Sequence, residues 1–410
     1  MTSRDIENVD VVIVGAGLAG ASLATALANA GMTVSIFDSK PAPTWDIASY
    51  DSRVSAINLA SQNIFMALGA WPEICEKRVS PFVGIEAWDE RSKGKICFHA
   101  TDNGLIRLGH VIENSVIATT LHGLLEKRNN AQVYFSTKIE RLSFTSEKVV
   151  VTTSSGHSLQ ASLLVGADGA ASKVRDFTDI DFIHHEYEQI AITAHVATEK
   201  SHEQLAYQRF LSKGPLALLP LSDGRCSIVW SANSQLAKDL NNLSDEAFIG
   251  HLEQSSEQRL GTIKSVTPRQ EFTLTYGHAK RYFDNRIVLI GDAAHTIHPL
   301  AGLGANQGML DAAMLAEMLI DSREKTNDLG DPMILHRYQR RRQADNGITL
   351  RTLNGLYRLF GNNSRLVVNI RGFGLDFTNQ VIPIKRALVR KAAGLAGDLP
   401  DIARSNLSRH

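Results

Sequence analysis

An α/β fold is predicted, with a parallel nucleotide-binding sheet, an inserted and mainly antiparallel lobe, and a C-terminal helical region. Three observations carry that prediction. The chain opens on an apolar run that breaks into a glycine-rich turn. Two more apolar runs, far along the chain, also end at a glycine beside an aspartate. Between them the pattern shifts from continuous apolar runs to alternating, strand-like segments.

The first run is Asp10-Val-Val-Ile-Val-Gly15-Ala-Gly17-Leu-Ala-Gly20. Val11 to Val14 read as a strand covered on both faces, because such a strand needs an unbroken apolar run. Small residues from Ala19 to Ala30 suit a helix packed tightly on a sheet, and Gly31 is placed to end it. Thr33 to Phe37 form the next strand, closing on Asp38. In such a unit Gly15 permits the tight turn, Gly17 lets backbone approach a pyrophosphate, and Gly20 brings helix and strand together. The helix N-terminus offers N–H groups and a positive dipole end to phosphates. Asp38, about 20 residues on, can accept a hydrogen bond from a ribose hydroxyl. The alternative is an ordinary strand–helix turn.

A chain of 410 residues has room for two or three lobes and a sizeable core. Basic and acidic residues balance at 43 each, so global charge gives no argument for nucleic acid. Cys75, Cys97 and Cys226 form no C-x-x-C pair, which excludes a dithiol redox mechanism and zinc spacing. Sparse cysteines fit a reducing cytosol. The N-terminus has no apolar signal region and no apolar stretch is long enough to cross a bilayer. A cytoplasmic protein is expected, in peripheral contact with the inner face of the membrane at most.

After Pro41 and Pro43, the segment from Tyr50 to Ile57 leads into a helix from Leu59 to Leu68. Arg53 is placed to fork onto a pyrophosphate or to pair with Asp51. Alternation between Pro81 and His99 predicts a β-hairpin, and helical spacing predicts a helix from Glu113 to Glu126. Ser162 to Gly166 is a strand ending in Ala-Asp168-Gly169. Asp168 there either contacts a ligand in the crevice or makes a turn with Gly169. Strands at Gln189–Ala197 and Cys226–Ser231 belong to the inserted lobe, where Trp230 reads as core. The chain then returns through Arg286 to Gly291-Asp292-Ala-Ala-His295 and a glycine-studded loop, with a helix from Met309 to Leu319. Strand ends of one design, so widely separated, imply one large, extended cofactor.

These residues resemble the FAD-dependent aromatic hydroxylases and, within them, the ubiquinone-biosynthesis monooxygenases of the 2-polyprenylphenol hydroxylase type. The match rests on Gly15-x-Gly17-x-x-Gly20 ending at Asp38, Gly166-Ala-Asp168-Gly169 and Gly291-Asp292-Ala-Ala-His295. The narrower likeness rests on Arg53 to Asn58, Val111 to Asn114, Gly214 to Trp230 and His295 to Gly302. The resemblance implies a Rossmann-like FAD-binding domain in three parts, 1–80, 101–181 and 277–345. It implies a substrate domain of a hairpin, 81–100, and a sheet, 182–276, followed by a helical region, 346–410. It implies that Gly15, Gly17 and Gly20 hold the FAD pyrophosphate and Asp38 the adenosine ribose. Arg53, Asp168 and Asp292 would also contact FAD, and a loop of Gly304, Ala305 and Asn306 would lie against the isoalloxazine ring. NAD(P)H would be a transient electron donor, O2 the co-substrate and a polyprenylated phenol or quinol the substrate, with no metal. Hydroxylation at ring C5 is favoured over C1 or C6.

One departure stands out. Leu303 replaces the family's usual glutamine, and Gln307 occupies a position that is normally apolar. Backbone contacts to the flavin should survive this change. An alternative function is therefore a non-catalytic, FAD-bound component of an assembly with other ubiquinone-biosynthesis proteins. An FAD-dependent prenyl-lipid reductase or halogenase shares the fold. His298 is the candidate for contact with a phenol oxygen, against a role in fixing the loop, and His295 reads as structural. The cationic, partly amphipathic C-terminal region reads either as a solvated face closing the nucleotide domain or as a peripheral membrane contact.

Overall fold

The computed structural model describes residues 7–297, 302–325 and 328–404. Its first sheet holds five parallel strands in the order Ile287–Leu289, Ser158–Gly166, Glu7–Val14, Val34–Phe37 and Ala131–Tyr134. Antiparallel strands flank them, with Phe283–Asp284 beside Ile287–Leu289. Val149–Thr153 pairs with the outer part of Ser158–Gly166, and Ile139–Phe144 pairs with Val149–Thr153 in turn. The parallel strands are apolar on both faces because helices cover both. Val11, Val12, Ile13 and Leu163 to Val165 are fully buried. Helix Leu18–Asn29 is almost wholly buried between the sheet and helices Asn114–Glu126 and Leu303–Lys325. Only small side chains allow that, which explains its run of alanines.

The second sheet has nine strands and is mainly antiparallel. Its spine is the long strand Phe182–Thr198, paired with Gln270–Ala279 on one side and Cys226–Asn233 on the other. Hairpin Gly84–Asp89 and Lys95–His99 joins through a parallel pairing with Leu205–Phe210. Ile192, Trp230 and Phe248 centre its core. Two helices, Ser234–Asn241 and Asp245–Ser255, cover it, capped by the side chains of Asn233 and Ser244. The reading of 182–276 as a sheet missed both. The short sheet of Val54–Asn58, Gly109–Glu113 and Ser80–Phe82 lies between the two lobes in the chain.

The C-terminal region divides between the two lobes. The first half of helix Pro332–Gly361 packs on the nucleotide domain, through Leu335 and Tyr338. Its second half, with helices Arg365–Gln380 and Ile382–Ala392, instead joins the second lobe and packs against strand Lys95–His99.

Candidate functional site

The register of the first sheet puts the sequence motifs side by side. Phe37, Val14, Gly166 and Leu289 are neighbours on four adjacent parallel strands. Asp38, Gly15, Asp168 and Gly291-Asp292 therefore leave the carboxyl edge of one sheet together, where open α/β sheets bind ligands.

Gly15 adopts φ +105°, and a Cβ there would stand 2.2 Å from the Ala167 carbonyl oxygen. A Cβ on Gly20 would meet the Gly15 carbonyl oxygen at 1.9 Å. Both glycines are thus required by the protein's own packing. Gly17 differs: its backbone is extended and a Cβ would meet nothing within 4 Å. Its missing side chain leaves a free surface at the N-terminus of helix Leu18–Asn29, where no side chain caps the N–H groups. That cradle fits a pyrophosphate.

Asp38 reaches across this turn. One carboxylate oxygen accepts the Ala16 N–H at 2.8 Å, the other the Lys40 N–H at 2.8 Å. His122 Nε2 lies 2.9 Å from the Ala16 carbonyl on the buried side. Asp168 is also engaged. It accepts the Ser172 hydroxyl at 2.5 Å and the N–H groups of Lys173 and Val174 at 2.7 and 3.1 Å. These contacts hold the start of the short helix Lys173–Asp176 and are not the turn with Gly169 that the sequence offered. Arg175, which sequence reasoning did not single out, ties this helix to the next motif by donating to the Ala170 and Ala293 carbonyls, each at 2.9 Å.

Asp292 combines an open face with dense surroundings. Its side chain is solvent-accessible, yet the protein packed around it desolvates the carboxyl and raises its pKa, while the charges of His295 and Arg53 counter that rise. A carboxyl of this kind lines a crevice. Arg53 faces the same space: among the described residues no carboxylate pairs with its guanidinium, which lies 5.0 Å from the Phe272 ring. The alternative ion pair with Asp51 is not formed, because Asp51 accepts the backbone N–H groups of Arg53 and Ser115 instead.

Gly304, Ala305 and Asn306 do not form a loop. Helix Leu303–Lys325 starts six residues before the expected Met309, so these residues make its first turn. That turn lies beside the start of Leu18–Asn29: a Cβ on Gly308 would come within 3.4 Å of Ala19 and of Gly291. Two helix N-termini therefore converge on the strand ends. The Asn306 side chain is buried and committed to the protein. It donates to the Ala56 and Gly302 carbonyls and accepts from the Asn58 N–H and the Ser61 hydroxyl. Its amide clamps the helix start onto strand Val54–Asn58, leaving backbone N–H groups as the donors of this turn. His298 and the Leu303 side chain lie outside the described residues.

Beneath the turn is a buried charge network that sequence reasoning missed. Asp311 accepts the Gly291 N–H at 2.9 Å and meets His295 Nε2 at 2.5 Å through one oxygen. Its other oxygen accepts Arg342 Nε at 2.6 Å and Asn346 Nδ2 at 3.1 Å. Burial alone would raise the Asp311 pKa, but His295 and Arg342 outweigh it and hold the carboxyl far below the usual carboxylate range. Arg342 also donates to Gln307 at 2.8 Å, which accounts for a polar residue at that normally apolar position. The signal available in the sequence was the i, i+4 pair Gln307 and Asp311 on the otherwise apolar stretch 307–316.

The third motif also leads into the second lobe. His295 and Thr296 pair with His278 and Gly277 of strand Gln270–Ala279. Ile297 then packs with Leu350 and Leu353, against Phe210, Tyr276 and Tyr357. An apolar patch thus adjoins the polar crevice.

Comparison with known proteins agrees with this geometry. Residues 8–346 match the family model described as the FAD binding domain. The chain is 35% identical over 385 residues to ubiquinone hydroxylase UbiL of Rhodospirillum rubrum, covering 94% of this chain and 89% of that protein. It is 32% identical over 396 residues to 3-demethoxyubiquinol 3-hydroxylase of Escherichia coli, covering 96% and 100%. In fold it is similar to p-nitrophenol 4-monooxygenase PnpA of Pseudomonas putida, with a TM-score of 0.77 at 19% identity, covering 96% and 99%. The cradle at Gly17, the uncapped helix start and the accessible acid at the third strand end fit an extended, phosphate-bearing flavin. The chain belongs to the FAD-dependent hydroxylases of ubiquinone biosynthesis and is an FAD-dependent aromatic monooxygenase.

Proposed function

We propose that this enzyme hydroxylates the ring of a polyprenylated phenol or benzoquinol on the route to ubiquinone, at ring C5, with NAD(P)H and O2. The observation that carries the reading is the junction at Thr296–Ile297, where the FAD crevice runs directly into an apolar patch. The relatives named for ubiquinone hydroxylation, matched over nearly their whole length, support it. FAD supplies the redox and oxygen-transfer chemistry.

The chain's own residues bind and orient. The Gly15–Gly20 turn and the start of helix Leu18–Asn29 receive the pyrophosphate, and Asp38 takes a ribose hydroxyl. Arg53 and Asp292 address the phosphate–ribityl portion, with Asp168 held at the adjoining turn. The first-turn N–H groups of Gly304, Ala305 and Asn306 face the ring system. Ile297, Leu350 and Leu353 exclude water beside it. His298 is the candidate for the phenol oxygen.

The test is complementation of strains that each lack one ubiquinone ring hydroxylase, with quinone intermediates followed by mass spectrometry. Rescue of the C5-deficient strain is expected. Rescue at C1 or C6 would move the ring position. Failure in every strain, with stable FAD-loaded protein, would favour a non-catalytic role among other ubiquinone-biosynthesis proteins. A prenylated substrate resides in the bilayer, so the enzyme works peripherally at the membrane's inner face.

A further inference from the structure

Helix Arg365–Gln380 carries an uncovered apolar ridge. Leu366, Ile370, Phe373 and Phe377 are 69%, 58%, 72% and 48% exposed. At 100° per residue these positions fall within roughly 60° of one another on the helix. Phe373 and Phe377 stack at 5.9 Å. Helix Ile382–Ala392 follows after Val381 alone and exposes Ile382, Ile384 and Leu388.

The ridge is not a core face awaiting a partner within the chain, because the helix is already fixed by its other side. Arg371 is buried and makes a two-point ion pair with Asp89, at 2.9 and 3.0 Å. Its Nη1 donates to the carbonyls of Leu359, Phe360 and Asn362. Asp376 and Asn379 accept the N–H groups of Lys95 and Cys97. Gly372 is packed so closely that a Cβ would stand 2.7 Å from the Ser92 side chain. The protein thus holds four large apolar groups rigidly in water.

Charge indicates what covers them. Between residues 346 and 392 the only acid is Asp376, against eight arginines and lysines. Among the described residues, no carboxylate pairs with Arg351, Arg358, Arg365, Arg386 or Arg390. An apolar ridge on a segment rich in cations without carboxylate partners is complementary to anionic headgroups over acyl chains. The last turns of the preceding helix, Pro332–Gly361, expose Leu356 and Leu359 as well, while Tyr357 and Phe360 line a small cavity with Phe210, Leu211, Pro215, Gln189 and Ser212.

We infer that helices Arg365–Gln380 and Ile382–Ala392 form a docking face for an anionic lipid bilayer, with Leu366, Ile370, Phe373 and Phe377 entering the acyl boundary. The inference deepens the membrane reading above and rests on it for the lipid solubility of the substrate.

The experiment is flotation of the full-length, FAD-loaded protein with vesicles of phosphatidylcholine, with or without about 30% phosphatidylglycerol. Binding to the anionic vesicles is expected to be at least about tenfold tighter. Phe373→Ser with Phe377→Ser should lower it by about tenfold or more with an unchanged melting curve, since both side chains are exposed. Arg358→Gln with Arg365→Gln should weaken the preference for the anionic vesicles. Wild-type-like binding of the double phenylalanine variant would overturn the proposal. So would failure of the parent to float while forming dimers that the same variant abolishes. Turnover of a short-chain, water-soluble phenol in the same samples separates the two readings: its loss bears on the hydroxylase assignment, and vesicle binding bears on the docking face.

Discussion

Single glycines in the nucleotide turn divide by what they serve. Gly15 and Gly20 are demanded by backbone atoms 2.2 and 1.9 Å from the sites of their missing Cβ atoms. Gly17 has open space there, and in the proposed site that space receives the pyrophosphate. Gly17→Ala should therefore fold and melt like the parent without FAD, yet bind FAD roughly tenfold or more weakly in a fluorescence titration. Gly15→Ala should fail to give a folded apoprotein by circular dichroism. The motif spacing pointed to all three glycines, but a spacing cannot separate these causes; contacts 150 residues away in sequence do. A second residue sets an acid limit. His110 is buried beside Arg107, and burial first, then that charge, lower its pKa to about 4. The unfolded chain takes up this proton near pH 6.5, the folded chain only near 4, so stability rises with pH across that window. Lowering the pH from about 7 to 5 should shift the denaturant midpoint downward, and His110→Gln should reduce that slope. His122, His195 and His278 are lowered by burial as well and act in the same direction.

Elements were legible where their signal is local. Helix Leu59–Leu68 has the bounds its pattern predicts, fixed by the Asn58 cap at one end and Gly69 in the left-handed region at the other. Helix Leu303–Lys325 was read six residues short at its N-terminal end because glycines, Asn306 and Gln307 resemble a loop. What makes them helical is tertiary: Asn306 clamps the first turn to Ala56, Asn58 and Ser61, and Gln307 is met by Arg342. The Asp311–Arg342 pair joins this helix to Pro332–Gly361, and both side chains are fully buried. Asp311→Asn leaves the buried guanidinium with only Asp345, at 3.3 Å, as counter-charge and should destabilise by about 3 kcal/mol in denaturant unfolding. Replacing both residues by apolar ones, Asp311→Leu with Arg342→Met, should recover most of that loss. The double variant also lacks the acceptor for the Gly291 N–H and should bind FAD less tightly. Stability and FAD affinity would then separate, which assigns the carboxylate a positioning role at the third strand end.

At the scale of the molecule, the crevice is an assembly of distant segments. Asp38, Gly15, Asp168 and Asp292 span more than half the chain in sequence but follow neighbouring strands of one sheet. The three strand-end motifs made that convergence readable, since parallel strands covered on both faces must share an edge. The C-terminal helices were not readable in the same way. Their cations suit either a solvated face or a membrane face, and only the tertiary contacts of Arg371 and Gly372 show which side of the helix turns inward, onto Asp89 and Ser92. In the proposed seat FAD bridges all the strand ends, so its binding is linked to folding of the whole nucleotide lobe. At FAD near 100 times its dissociation constant, the folded state should gain about 2.7 kcal/mol. The unfolding midpoint of the parent should therefore climb steadily with the logarithm of FAD concentration. Gly17→Ala should start from the same apoprotein midpoint and climb only at higher FAD. A midpoint independent of FAD in the parent would mean that the crevice is not the cofactor's seat. A lowered apoprotein midpoint in Gly17→Ala would mean that this glycine serves the fold after all.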